Sequence, residues 1–120
     1  MGKRVLVCGG RHYKNRAMVF RVLTVLHERE VIDVLIHGGP ARRDPGADEH
    51  ANAWAVHTGV RFERYDAEWK AHGRGAGPRR NQRMLVEGLP DMVIAFTGGP
   101  GTADMMRRSW AANVPVFSYP

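Results

Sequence analysis

Short apolar runs rich in β-branched residues alternate along the chain with longer stretches in which apolar residues recur every three to four positions. That alternation is the pattern of a parallel sheet whose crossovers are helices. The first run, Arg4 to Cys8, predicts strand one and ends in Gly9-Gly10. A helix follows over Asn15 to Arg29, where Val19, Val22, Leu23 and Leu26 fall at i, i+3, i+4 and i+7 and build one apolar face. Strand two runs from Asp33 to His37 and ends in Gly38-Gly39; a charged loop then leads to a helix that begins near Asp48 and stops at Gly59. Strand three is Val60 to Tyr65, after which the glycine-rich AEWKAHGRGAG reads as a loop reaching Pro78, a residue suited to a first helical turn. The third helix is Pro78 to Glu87, closed by Gly88. Strand four, Met92 to Phe96, is apolar on both faces, as a central strand buried from both sides is. A last helix over Thr102 to Asn113 and strand five, Val114 to Ser118, complete the pattern.

These elements predict an α/β fold: an open, Rossmann-like parallel sheet of five strands in the order 3-2-1-4-5, with helices on both faces. At 120 residues the chain suits one domain, residues 1–120, with one core. No apolar run approaches the roughly 18 residues of a membrane span, and the N-terminal MGKRVLVCGG lacks a secretory signal's apolar core, so a soluble, cytoplasmic protein is expected. The single cysteine, Cys8, sits inside VLVC and reads as a buried core thiol. A net charge of +6 favours anionic partners, either phosphate-bearing small molecules or nucleic acid.

Three strands end in paired glycines: Gly9-Gly10, Gly38-Gly39 and Gly98-Gly99. In a parallel sheet these ends share one edge, where ligands bind at the point at which the connection direction reverses. In FTGGPGTADMM, Gly98, Gly99 and Gly101 let the backbone approach a ligand, and the free N–H groups near Thr102 suit an anion. Thr102 reads as the helix N-cap, with or without a hydrogen bond to phosphate. Arg79 and Arg80, at a helix start after GRGAG, offer forked donors to phosphate, and Asn81 a contact to base or ribose. Arg11 is a further cation beside the first glycine pair. Trp69, next to a glycine-rich loop, reads as a stacking candidate and Trp54, on a helix face, as core. Asp48 reads as a helix cap or as an acceptor for a ribose hydroxyl.

The chain has no G-x-x-x-x-G-K-[ST], and its first turn, CGGRHYKNR, is not G-x-G-x-x-G, so neither a Walker-type NTPase nor a nicotinamide redox enzyme is expected. The six histidines lack metal-ligand spacing with cysteine or carboxylate partners, and no metal site is expected; His50 and His57 read as surface residues of one helix.

Taken together, Gly9-Gly10-Arg11-His12-Tyr13, His37-Gly38-Gly39, Gly46-Ala47-Asp48 with Ala51, Trp54 and Ala55, then Ala67-Glu68-Trp69, His72-Gly73, Ala76-Gly77-Pro78, Arg80-Asn81, Met84 and Phe96 to Asp104 resemble the small YspA-like branch of the SLOG superfamily, named for the Smf/DprA and LOG proteins. The resemblance covers nearly the whole chain. It implies a Rossmann-like fold and a pocket for a nucleotide or a nucleotide-derived ligand, ADP-ribose- or NAD-like or a nucleoside monophosphate, with the final glycine loop on the phosphate. No further cofactor is implied, and a homo-oligomer is, with Val22 and Trp110 as contributors to its interface. The related LOG phosphoribohydrolases carry R-K-x-x-M and P-G-G-x-G-T-x-x-E segments with catalytic Arg and Glu. Arg80 and Met84 fit the first, and Gly98, Gly99, Gly101 and Thr102 the second. Thr97 replaces the proline, however, and Met105 replaces the catalytic Glu, which argues against that hydrolysis. If an enzyme, the chain has Asp104, Asp48 and Arg80 as its catalytic candidates. The DprA relatives and the charge make DNA binding a third, less favoured expectation. The charged loop over residues 40–47 reads as a gate to the pocket or as a surface insertion.

Overall fold

The computed structural model describes residues 2–39 and 46–120. Five strands, β1 (Lys3–Cys8), β2 (Ile32–His37), β3 (Arg61–Arg64), β4 (Met92–Phe96) and β5 (Val116–Tyr119), form one sheet in the order β3-β2-β1-β4-β5. Every neighbouring pair is parallel, and β1 registers Leu6 on Ile36 and on Val93. The crossovers are α1 (Arg16–Arg29), α2 (Ala47–Thr58), a short α3 (Trp69–His72), α4 (Ala76–Val86) and α5 (Pro100–Ala111). The strand order expected from the chain is the order observed, and the connection direction reverses between β1 and β4.

Strand alternation divides the interior in two. Val5, Val7, Ile94 and Phe96 face α1 and α2, meeting Val19, Leu23 and Trp54. Leu6, Cys8, Val93 and Ala95 face the other way, onto Met84 of α4 and Met105 of α5. Removing residues of this size from water contributes about 1.5–3 kcal/mol each, which is what holds the helices on the sheet. Trp54 is core, as read, and its indole N–H donates to Thr24 Oγ1 at 3.0 Å. Val22 packs at the edge of the first core and Trp110 is exposed on α5. No helix among the described residues is long and apolar enough to cross a membrane.

Four local expectations are corrected. The stretch AEWKAHGRGAG is largely helical, as α3 and a 3-10 turn over Gly73–Gly75, and α4 starts at Ala76, ahead of Pro78. Pro78 is still within the first turn, where a missing N–H breaks no helical bond. Helix α5 starts at Pro100 with Gly99 as its cap, so Thr102 is a buried residue of the first turn and not the N-cap. Likewise Gly46 caps α2, and Asp48 lies inside the helix. His50 is buried, its Nε2 3.0 Å from the Tyr13 carbonyl, whereas His57 is exposed.

Candidate site at the carboxyl edge of the sheet

The glycine loops after β1 and β4 interlock at the reversal point. The Gly10 N–H donates to the Thr97 carbonyl at 3.0 Å, and the Gly10 carbonyl accepts from Tyr13 N–H and from Ala47 N–H, both at 3.1 Å. A Cβ on Gly10 would lie 2.9 Å from the Thr97 oxygen, and one on Gly98 would strike Thr102 Oγ1 and approach the Gly10 nitrogen to 2.6 Å. Both positions require glycine because two backbones touch. Gly99 and Gly101 differ: a Cβ on either meets nothing within 4 Å, and both face open space. At this end of α5 the first N–H groups, those of Gly99, Gly101 and Thr102, have no helical carbonyl to donate to, and Pro100 has none to offer. Thr97, exposed, donates its N–H to the Tyr119 carbonyl at 3.2 Å. A cavity of about 430 Å³ opens beside this loop, lined by Thr97, Gly98, Gly99, Thr102, Met106 and Tyr119 among others.

The second glycine pair, after β2, is organised by His37 and Arg80. Gly39 has φ +87, a left-handed conformation, and a side chain there would strike the Asp66 carboxylate. Its N–H donates to His37 Nδ1 at 3.1 Å, which puts the ring proton on Nε2, 2.9 Å from its acceptor Asn52 Oδ1. Burial pushes His37 down to about 4, against the Asn52 hydrogen bond, so the ring is neutral at ordinary pH. Arg80 Nη1 donates to the Gly38 carbonyl and, at 3.4 Å, to the Tyr65 carbonyl, while Nε donates to Asn81 Oδ1 at 3.1 Å. Arg80 therefore clamps the ends of β2 and β3. None of these contacts uses Nη2.

Asn81 is buried, and both its Nδ2 and its Oδ1 make hydrogen bonds within the protein. Its Nδ2 donates to the Gly101 carbonyl at 3.2 Å and to Asp104 Oδ2 at 3.0 Å, tying α4 to the start of α5. Asp104 also accepts from Arg108 Nε at 2.8 Å and pairs with Arg107 at 3.6 Å. Burial pushes Asp104 up, but the hydrogen bonds from Asn81 and Arg108 and the two arginine charges outweigh it and hold its carboxyl below the usual range.

Asp48 is the opposite case. Part of the residue is exposed, yet Oδ1 shows less than 1 Å² to solvent and has no hydrogen-bond partner. Burial drives the carboxyl up to about 7, against the attraction of Arg80 and a hydrogen bond from the Gly38 backbone. The neighbouring Cys8 thiol is raised further by burial and by Asp48, so it carries no thiolate and is the core residue expected.

The remaining candidates spread outward. Arg11 is exposed just past Gly10, and its backbone packs on Gly46. Arg79 is exposed and lines a different cavity of about 400 Å³, shared with Asp66, His72 and Arg83 along α4. Trp69 is 42% exposed at the start of α3, with its ring edge 3.6 Å from where a Gly77 side chain would begin. Of the charged loop, residues 40–45 lie outside the described residues. Two site-edge residues were not anticipated, His37 as the holder of Gly39 and Tyr119 as a cavity wall. His37 stood directly before the second glycine pair, which is the one sequence signal that could have pointed to it. Among the described residues no cluster of histidine, cysteine or carboxylates suits a metal ion.

Residues 3–72 match the model of the YspA, cpYpsA-related SLOG family. Along nearly its full length the chain is similar to the Gene 61 protein of Mycobacterium phage D29, 37% identical over 127 residues that cover 98% of this chain and 96% of the relative. The first comparison ends before α4 and α5, so the Arg80–Asn81 and Gly98–Thr102 segments come under the second alone.

Proposed function

The chain belongs to the YspA, cpYpsA-related SLOG family, and on that premise we propose that the carboxyl edge of its sheet binds a nucleotide or nucleotide-derived ligand, as a sensor or carrier. The observation that carries the reading is the interlock at the sheet's reversal point. Gly10 and Gly98 are closed against each other by backbone contact, while Gly99 and Gly101, one and three residues on, face open space at a helix start. The first pair fixes the loop; the second leaves unpaired N–H groups accessible to a phosphate. Asn81, by holding the Gly101 carbonyl, keeps those N–H groups aimed without touching the ligand. Arg11 supplies exposed positive charge nearby, and the cavity beside Tyr119 and Met106 offers an apolar wall for a base.

A hydrolytic reading is favoured by the geometry at Asp48, whose buried Oδ1 has no partner and whose carboxyl burial raises to about 7, which suits a group that exchanges protons near neutrality. Asp104 does not share in it, since both its oxygens are engaged.

Native mass spectrometry of the gently purified protein, followed by identification of whatever it releases on denaturation, tests both. An intact ADP-ribose-like, NAD-like or nucleoside monophosphate species is the expected result. A free base or sugar phosphate instead would transfer support to hydrolysis. A protein that carries nothing and takes up no added AMP, ADP-ribose or inorganic phosphate would remove both readings.

A further inference from the structure

Nucleotide binding through the phosphate loop leaves one group at the sheet edge without a task. Asp48 Oδ1 is shielded from water and receives no hydrogen bond. Buried polar atoms nearly always have partners, and an orphan carboxylate oxygen is the place for a ligand or water donor. The groups that act electrostatically on Asp48 are Arg80, the Gly38 backbone and Glu49, and Asp48 acts in turn on Cys8. Arg80 contributes its charge but directs Nε to Asn81 and Nη1 to the carbonyls of Gly38 and Tyr65.

A single residue joins the start of α2, where Asp48 stands, to the phosphate loop. The Gly10 N–H bonds the Thr97 carbonyl, and the Gly10 carbonyl accepts from the N–H of Ala47, the residue before Asp48. Asp48 is partly exposed as a residue and stands in the first turn of α2, on the sheet edge that carries the glycine loops. In a nucleotide the donors next along from the phosphate are the sugar hydroxyls. Resting on the nucleotide reading, we propose that Asp48 Oδ1 accepts a hydrogen bond from a ribose hydroxyl of a ligand whose phosphate lies at the start of α5. The site then selects ribonucleotides over their deoxy counterparts, because a bound deoxy sugar leaves the carboxylate without its donor.

Titration calorimetry of the full chain with AMP, 2′-deoxy-AMP and 3′-deoxy-AMP tests this. One deoxy analogue is expected to bind the native protein about 10- to 100-fold more weakly than AMP, the effect of losing a hydrogen bond to a charged group. In Asp48→Ala the three ligands should bind alike. Asp48→Asn, which keeps a carbonyl acceptor without the charge, should retain a preference of about 2- to 10-fold. Equal binding of all three ligands by the native protein, or an undiminished preference in Asp48→Ala, overturns the assignment and leaves the nucleotide reading standing. If the native protein binds neither AMP nor ADP-ribose, the nucleotide reading fails and takes this assignment with it.

Discussion

Two helices, α2 and α5, begin on the same edge of the sheet, and each places an aspartate within its first turns. At α5 every oxygen of Asp104 is engaged: Asn81 and Arg108 on one side, Arg107 on the other. At α2 the corresponding acid, Asp48, is more deeply covered, keeps one oxygen without any partner and is pushed up to about 7. A fold that merely required carboxylates to hold its helices together would treat both as it treats Asp104. On the reading proposed above, the difference separates scaffold from site: α5's acid holds the loop in shape, and α2's acid lowers stability where it stands, as a group kept for function would.

The largest effect is expected where the α5 start is closed by backbone contact. A methyl on Gly98 meets Thr102 and, at 2.6 Å, the Gly10 nitrogen, which cannot swing away as a long side chain can. Gly98→Ala should therefore destabilise by about 2–4 kcal/mol in denaturant titration. Gly99→Ala, one residue away with nothing within 4 Å, should change stability by less than about 0.5 kcal/mol while narrowing the anion's access. Equal stability losses for the two would sink the division of that loop into a closed half and an open half.

The next largest is Asp104→Ala. It leaves Asn81 Nδ2 with only the Gly101 carbonyl and Arg108 Nε without its acceptor, while Arg108 Nη1 keeps Gln82 of α4, a loss of about 1–3 kcal/mol. Asp48→Asn should run the other way. Replacing a carboxylate whose ionisation is opposed by burial should raise stability at pH 8 by about 1–3 kcal/mol, the attraction of Arg80 being already set against burial in that balance. Thermal melts of both variants at pH 8 check the contrast. If Asp48→Asn melts below the native protein, the carboxyl is structural after all.

The strand order, both helical faces and the gathering of three glycine pairs on one edge were legible in the chain, because hydrophobic period and glycine placement are local signals. What each polar residue at that edge does was not. Thr102 carries the right chemistry for a cap, but Gly99 and Pro100, read together, put the cap three residues earlier. Asn81 and Arg80 have the donors a ligand contact needs; only the approach of α4 to α5 and to the β2 and β3 ends shows that protein carbonyls take those donors first. Asp48 and Asp104 are indistinguishable in sequence terms, since burial and partners are set by distant segments. His50 is apart from its helix neighbours for the same reason, its partner being the Tyr13 carbonyl.

The smallest expected effect is the native protein's own pH slope. Between about pH 4 and 6.5 two buried groups at the β2 end titrate with opposite consequences. Asp48, raised in the folded state from 3.8 to about 7, contributes stability that is complete below the unfolded value and is lost as pH rises through 7. His37, lowered from 6.5 to about 4, contributes stability that is complete above 6.5 and is lost as pH falls through 4. Their slopes oppose one another across the shared window, so the native protein's stability should be nearly flat there as far as these two groups decide it. Asp48→Asn removes the falling component and should expose a stability that rises with pH from 4 to 6.5. Melting temperatures at half-unit pH steps read this directly. A profile for Asp48→Asn that parallels the native one would mean the carboxyl is ionised at the same pH folded and unfolded, and the contrast between α2's acid and α5's acid would disappear with it.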